Sequence, residues 1–424
     1  MKYYIGTIIY LINIISIHSC KNNTTTESKN YTLKEKSNMS AEDILGNSNY
    51  LAMSYGGYRH ADHNIEPTQD ELKEDIKLLS AMGIKILRTY KVHKPQASNL
   101  LKAISELKKE IPNFEMYVML GAWIDCLHAW TDQEPNHNVE SERNAIEIAT
   151  TVKLANQYPD IVKVIAIGNE AMVKWATSYY VQPGIILKWV DYLQKMKKAD
   201  KLPKDLWITS SDNFASWGGG HDEYHVEDLN KLIAAVDYLS IHTYPMHDTH
   251  YNPVFWSIRE DEHVLTKIEK IDAAMIRAKE YAISQYNSVK EYMQSLEIDK
   301  PIHIGETGWA SNSNKLYGPN GSRATDEYKE GVYYKHMREW TNTENISCFY
   351  FEGFDEQWKD SENPKGSENH FGLINLKSQA KFAIWDLVDQ GIFEGLTRDG
   401  KPISKTYNGD KKMLMKKVQT PIIK

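Results

Sequence analysis

Two glutamates stand where a carboxylate is hard to explain as packing. Glu170 closes the run Ala166-Ile167-Gly168-Asn169-Glu170, and Glu306 closes His303-Ile304-Gly305-Glu306. Each follows a short apolar stretch and a glycine. A carboxylate at the edge of a buried run is costly unless it is paired or used. One such residue alone reads equally well as a cap for the helix that follows. Two of them suggest a pair that divides acid and base work between a protonated and an ionised carboxyl.

Metal chemistry is the competing reading. His60, His63, His128, His137, His242, His247 and His250 supply ligand types. Their spacing does not supply a site, because His60-Ala61-Asp62-His63 lacks the His-x-His pair that barrel metallohydrolases place at a first strand. The three cysteines contain no CxxC start for zinc. No metal and no cofactor is expected. A net charge of −7 excludes a phosphate-tracking basic surface, so nucleic acid is not an expected partner.

The elements that must position the two glutamates are regular. Strand-like runs fall at Tyr50–Tyr55, Ile84–Tyr90, Phe114–Gly121, Val162–Gly168, Leu206–Ser211, Val236–His242, Pro301–Gly305 and Ile346–Phe351. Amphipathic stretches lie between them, among them Gln69–Met82, Ser141–Gln157, Ile185–Ala199 and Asp326–Thr341. A last helix is expected over Ala380–Gln390. Val264–Leu296 is long for one globular helix and is expected to break or carry an extension. Eight strand–helix units predict an α/β fold, a single (β/α)8 barrel with extended βα loops. The turn Tyr55-Gly56-Gly57-Tyr58 lacks the GxGxxG spacing of an open, doubly wound sheet. The barrel places Glu170 after the fourth strand and Glu306 after the seventh, at the end where barrels carry their chemistry.

Asn-Glu after strand four with Glu after strand seven resembles clan A glycoside hydrolases. The finer resemblance is to glycoside hydrolase family 17, the β-1,3-glucanases and β-1,3-glucanosyltransferases. Leu87-Arg88-Thr89-Tyr90 resembles the family's Arg-x-Tyr. His242-Thr243-Tyr244-Pro245 resembles its Tyr-Pro on strand six. Glu306-Thr307-Gly308-Trp309-Ala310-Ser311 resembles its Glu-Thr-Gly-Trp-Pro-Ser, with Ala310 in place of proline. Phe354-Asp355-Glu356-Gln357-Trp358-Lys359 resembles its Phe-Asp-Glu-x-x-Lys. The matches run in order from about Tyr55 to Phe371. A long His- and Trp-rich loop after strand three departs from the family pattern.

The resemblance implies roles. Glu170 is the general acid/base and Glu306 the nucleophile of a retaining, endo-acting β-1,3-glucanase. Asn169 contacts the sugar 2-hydroxyl, and Arg88 and Tyr244 hold Glu306 ionised and oriented. Tyr55, Glu356 and Lys359 line the same mouth, or serve as structural hydrogen-bonders. Trp123, Trp130, Trp217, Trp256, Trp309 and Trp358 fall in or near βα loops, where each is either a sugar platform or a packing residue. The excess of 26 Tyr and 11 Trp over 9 Phe suits a sugar-binding cleft, and suits barrel packing equally. A β-1,3-glucanosyltransferase with the same catalytic residues, and a glucan-binding protein without activity, are the alternatives. β-Glucan is the expected partner, and the protein is expected to be a monomer.

The amino terminus is read separately. Lys2 precedes an apolar run from Tyr3 to Ile17, then His18-Ser19-Cys20. The run is short for a membrane span and resembles a bacterial lipoprotein signal over residues 1–19, with Cys20 lipidated. Residues 20–40 read as a disordered tether, and 41–424 as the catalytic domain. The expected location is the bacterial cell envelope, lipid-anchored on the outer membrane or the periplasmic face. Cys126 and Cys348 are expected on strands three and eight, too far apart for a disulfide. The basic stretch Lys411 to Lys424 is expected to fray.

Overall fold

The structure, a computed structural model, describes residues 39–422; the signal, Cys20 and most of the expected tether lie outside the described residues. Eight parallel strands close into a barrel: β1 (Leu51–Ser54), β2 (Ile84–Arg88), β3 (Tyr117–Ala122), β4 (Val162–Asn169), β5 (Trp207–Asn213), β6 (Leu239–His242), β7 (Ile302–Thr307) and β8 (Cys348–Tyr350). Each pairs with its sequence neighbours, and β8 returns to β1 through Ala52 opposite Phe349. Parallel strands are covered on both faces, so their sequences run apolar throughout instead of alternating. β4 illustrates this: all of Val162–Gly168 is buried.

Two cores follow from the two faces. Inside the barrel, Ala52, Ile86, Met119, Val164, Ala166 and Phe349 cluster with Ala41, Ile44 and Leu45. The latter come from a short helix, Ala41–Ile44, capped by Ser40. Met39 and Ser40 therefore belong to the folded body and not to a tether. Outside, the strands pack against the surrounding helices in one continuous apolar cluster.

Four expectations are corrected. Lys267–Ser295 is one unbroken helix of 29 residues, started by a capping box between Thr266 and Glu269. It stays whole because buried Ile271, Ala274, Ala278, Ala282, Val289 and Met293 recur along one face for its full length. Ala380–Gln390 forms only a short helix, Trp385–Asp389, after a 3-10 turn at Phe382–Ile384. Cys126 lies beyond β3, in a hairpin of Cys126–Leu127 with Asn136–Glu140. It and Cys348 are both free and buried. The basic tail holds a helix, Lys411–Lys417, capped by Asp410, because Leu414 and Val418 are buried while the lysines face out. No helix among the described residues is long and apolar enough to cross a membrane.

Candidate active site

Strand ends converge on one cleft of roughly 1560 Å³, lined by residues from every side of the barrel mouth. That exceeds the few hundred to about 1,000 Å³ of ordinary small-ligand pockets and suits a chain of several sugar rings. Glu170 and Glu306 both line it, with Asn169, Tyr55, Tyr244, Glu356, Lys359, Trp123, Trp130 and Trp358.

Local backbone explains how each glutamate is presented. Gly168 at φ 81° and Glu170 at φ 47° turn the chain sharply out of β4. The Glu170 amide donates to Ser211 O on β5 at 3.0 Å, which ties that turn to the barrel. In β7 the residue before Glu306 must be small. A Cβ on Gly305 would stand 2.1 Å from Ser240 Oγ and 2.4 Å from Ser211 Oγ.

Arg88 is the hub of the floor. Its guanidinium donates to Gly305 O at 2.9 Å and pairs with Glu306 Oε1 at 3.0 Å. It also donates to Asn169 Oδ1, so the Asn169 NH2 is left to face the cleft. Tyr90 donates its hydroxyl to Glu306 Oε1 at 2.5 Å. The sequence reading gives the role of orienting Glu306 to Tyr244 and does not name Tyr90 for it. The hydroxyl on Glu306 comes from Tyr90, two residues beyond Arg88 on the same face of the strand line. Tyr244 lines the cleft, its ring stacked on His247 at 5.2 Å and its hydroxyl raised by burial and by the nearby charges of Glu306 and Glu170.

His242, fully buried at the end of β6, faces both carboxylates. Its Nδ1 lies 3.1 Å from Glu170 Oε1 and 3.3 Å from Glu306 Oε2. Its Nε2 lies 2.8 Å from Ser211 Oγ.

The two carboxyls are driven apart in acidity. Burial, then the negative charge of Glu306, pushes Glu170 up to about 8. Burial also works to raise Glu306, but His242, Arg88, the Tyr90 hydroxyl and Lys359 outweigh it and hold that carboxyl below the usual range. His242 is itself kept neutral by burial, pushed down to about 3. Arg88 supplies the full positive charge beside the pair. Near neutral pH the site therefore holds one protonated and one ionised carboxyl. Oxygens of Glu170 and Glu306 and one nitrogen of His242 lie within 4.8 Å of one another. These three are the group of potential cation ligands found among the described residues. The Arg88 guanidinium already pairs with the Glu306 charge.

Asp212, Glu147 and Glu352 are supports that were not assigned from sequence. Asp212 accepts from the Met172 amide at 2.7 Å and from Ser216 Oγ at 2.6 Å, and so fixes the loop behind Glu170. Glu147 accepts from the Val92 and Trp123 amides, tying the loops after β2 and β3 together. Glu352 pairs with Lys359 Nζ at 2.6 Å. Tyr55 donates to buried Asp75 at 3.2 Å, and Glu356 accepts from the Tyr58 amide and Trp358 Nε1. These last residues are structural bonders whose edges also line the cleft.

The tryptophans separate into two groups. Trp217, Trp256 and Trp309 are fully buried, and their indole N–H groups donate to Ser240 O, Ser322 O and Ala324 O. They are packing residues, which corrects the expectation of sugar platforms at those positions. Trp123, Trp130 and Trp358 line the cleft. Trp130, at φ 64° and 57% exposed, stacks on Tyr179 at 5.0 Å beside Trp123. Trp358 stacks on His63 at 3.6 Å. Trp175, 62% exposed in the loop after Glu170, also lines the cleft and was missed; its signal was a tryptophan five residues past Glu170.

Comparison with known proteins agrees with this geometry. The BtgE/BtgC glycoside hydrolase domain matches residues 52–372. An endo-laminarinase from Formosa Hel1_33_131 is 65% identical, with a TM-score of 0.91 over 91% of this chain and 98% of that one. A glucan 1,3-beta-glucosidase of Arthroderma benhamiae is 24% identical over 322 residues, 74% of this chain and 84% of its own. A Rhizomucor miehei beta-1,3-glucanosyltransferase, solved with laminaritriose, shares 19% identity and a TM-score of 0.54 over 79% of this chain and 96% of that one, a likeness of fold.

Proposed function

The chain belongs to the BtgE/BtgC glycoside hydrolase family, and we propose that it is a retaining, endo-acting β-1,3-glucanase. The observation that carries the chemistry is the carboxyl pair. Retaining enzymes hold their two carboxyls roughly 5–5.5 Å apart and inverting ones about 6.5–9.5 Å. One oxygen of Glu170 lies within 4.8 Å of one oxygen of Glu306, which fits the closer, retaining spacing. Glu170, protonated, gives its proton to the departing glycosidic oxygen. Glu306, ionised and aimed by Arg88 and Tyr90, bonds to the anomeric carbon as the bond to that oxygen breaks. Glu170, now ionised, takes a proton from water, which attacks the same carbon and releases Glu306. Asn169, with its carbonyl occupied by Arg88, presents its amide to the ring's 2-hydroxyl. Trp123, Trp130 and Trp358 offer flat faces to more distant rings. A pure binding protein has no use for an acid held protonated beside an ionised nucleophile.

The β-1,3 linkage is supported by the names of the relatives above. Laminarin is expected to yield short oligosaccharides early in the reaction, with reducing ends rising in step. Cleavage confined to β-1,4-glucan, or loss of activity in EDTA with recovery in zinc, would overturn the assignment. We further propose lipid attachment at Cys20, on the strength of the apolar run from Tyr3 to Ile17 before it and the polar stretch behind it. Stable anchoring needs more than one acyl chain, which a diacylglycerol supplies. Cys20→Ser should move the protein out of the membrane fraction, and a variant that stays membrane-bound after signal cleavage would refute it.

A further inference from the structure

We propose that His242 is a positioning residue that lends one N–H to whichever glutamate carries the negative charge, Glu306 before the glycosyl-enzyme forms and Glu170 after. The inference rests on the assignment of that pair as nucleophile and acid/base. Its ground is the placement of the ring: one nitrogen, Nδ1, within 3.1 Å of one carboxyl and 3.3 Å of the other, in a residue with no exposure to solvent.

The tautomer follows from the ring's other side. Nε2 meets Ser211 Oγ at 2.8 Å, and Ser211 Oγ meets Ser240 Oγ at 2.9 Å. A neutral imidazole has one donor and one acceptor nitrogen. Two carboxyl oxygens on the Nδ1 side call for a donor there. Nε2 then accepts from the Ser211 hydroxyl, and Ser240 donates to Ser211 in turn. The two serines hold the ring and its tautomer, and no net charge is added between the glutamates.

A fixed neutral donor between two carboxyls has a consequence over the cycle. In this structure Nδ1 hydrogen-bonds to Glu170 Oε1 at 3.1 Å and stands 3.3 Å from Glu306 Oε2; with Glu306 ionised and Glu170 protonated in the free enzyme, the N–H turns to Glu306. When Glu306 becomes an ester its charge is gone and Glu170 has lost its proton. The same N–H, without the ring moving far, then bonds to Glu170. No bond to carbon and no proton passes through His242. It stabilises the nucleophile in the first step and the base in the second. The other groups acting on the pair are fixed. Arg88 and Tyr90 from the β2 side and Lys359 from beyond β8 face Glu306; the Arg88 charge also works to lower Glu170, and the Tyr244 hydroxyl feels the charge of both carboxyls. His247, Glu368 and Asp212 act on Glu170 from farther off. None of these others touches both carboxyls in the contacts described for this site.

The test is a pair of variants measured by pH–rate profile on laminarin and on an activated aryl β-glucoside. His242→Ala deletes the donor, and both limbs of the kcat/KM profile should move to higher pH. The acid limb, set by Glu306, rises because its charged form loses a bond. The basic limb, set by Glu170, rises because a less screened neighbour disfavours its ionisation. Hydrogen bonds to charged groups correspond to shifts of roughly 1–2 pH units. His242→Asn keeps an amide N–H near the Nδ1 position and should restore both limbs to within a few tenths of wild type. Ser211→Ala keeps the ring but removes the donor to Nε2, and should move both limbs the same way by less. If His242→Ala lowers the rate with unmoved limbs, or if Asn is as displaced as Ala, the positioning role is wrong. If His242→Ala does not fold, unmoved limbs in Ser211→Ala overturn it. Failure of the underlying assignment would show differently, as a wild-type enzyme inert on both substrates.

Discussion

The floor and the rim of the cleft are built on opposite terms. On the floor Arg88, Asn169, His242 and Glu306 lie within or at the ends of parallel strands, and the paired strands fix them. Each of these side chains has at least one polar partner on another strand. On the rim Trp130 stands on a left-handed residue in a hairpin loop, more than half exposed, against Tyr179 and Trp123. The difference separates two uses of binding energy. Groups fixed before substrate arrives can act on charge that develops only in the transition state. Aromatic faces in remote subsites bind ground and transition states alike, so they alter substrate capture more than the chemical step.

The largest expected effects break the floor. Glu306→Ala removes the atom that forms the covalent intermediate, so every substrate should fail whatever its leaving group. Glu170→Ala removes proton donation, worth about 10²–10⁴-fold. An aryl glycoside with an acidic phenol barely needs that proton. Its first step should survive, and the glycosyl-enzyme should accumulate on Glu306. Added azide needs no base and should speed turnover of Glu170→Ala, giving a β-glycosyl azide by a second inversion. In Glu306→Ala azide would displace the leaving group directly and give the α-azide. Exchange of the two anomers between the variants would mean that acid and nucleophile are reversed.

A second experiment sharpens the comparison within one residue type. Trp309→Ala should destabilise the fold by about 3–5 kcal/mol, as large-to-small changes in a core do. Its ring is fully buried against Trp256 and Tyr333. Denaturant midpoints measure this, and a loss below about 1 kcal/mol would return Trp309 to the cleft.

These tryptophans mark the limit of what sequence alone conveys. The eight strands were legible because parallel strands leave long apolar runs, and Glu170 and Glu306 because each breaks such a run at its end. Side-chain direction along β2 follows from the twofold strand repeat, which placed Arg88 and could have placed Tyr90 beside it. Beyond the strand ends that repeat is lost. Trp309, three residues after the nucleophile, turns inward to donate to Ala324 O, while Trp358, two residues after Glu356, turns its ring to His63. Loop geometry decided those directions, and residue type carried no trace of it. The unbroken helix Lys267–Ser295 was legible in its periodicity, and only its length argued against it.

A third prediction concerns pH. Glu170 rises to about 8 in the folded protein from 4.5, and Asp212, chiefly through burial, to about 7 from 3.8. Between those limits the folded state binds more protons than the unfolded one, so stability falls as pH rises. The contribution is complete below about pH 4 and is lost as pH passes through 7 to 8. Glu306 has the opposite sign: its contribution is present above its unfolded value and lost in acid. Thermal midpoints should therefore decline from pH 5 to pH 8, and Glu170→Gln, neutral at every pH, should flatten part of that decline. An equal slope in Glu170→Gln would show that this carboxyl is not held protonated by the fold.

The smallest effect is expected at the rim, and it tests the comparison most closely. Trp130→Ala removes one exposed ring whose folded-state contacts are Tyr179 and Trp123, so the melting temperature should change little. Aromatic stacking of this kind is worth about 0.5–1.5 kcal/mol, which converts to a roughly two- to tenfold loss in binding. That loss should appear in KM for long glucans and vanish for a short aryl glucoside that does not reach the hairpin. Turnover at saturation should stay near wild type on both, because uniform binding lowers KM without raising kcat. A fall in kcat on the short substrate would mean that the hairpin also shapes the floor. The route is visible: Trp123 N, in the same aromatic cluster, donates to Glu147, which also accepts from Val92 N two residues past Tyr90. Measuring Glu147→Gln beside Trp130→Ala separates the possibilities. If rim and floor are independent, Glu147→Gln disturbs kcat on the short substrate and Trp130→Ala does not.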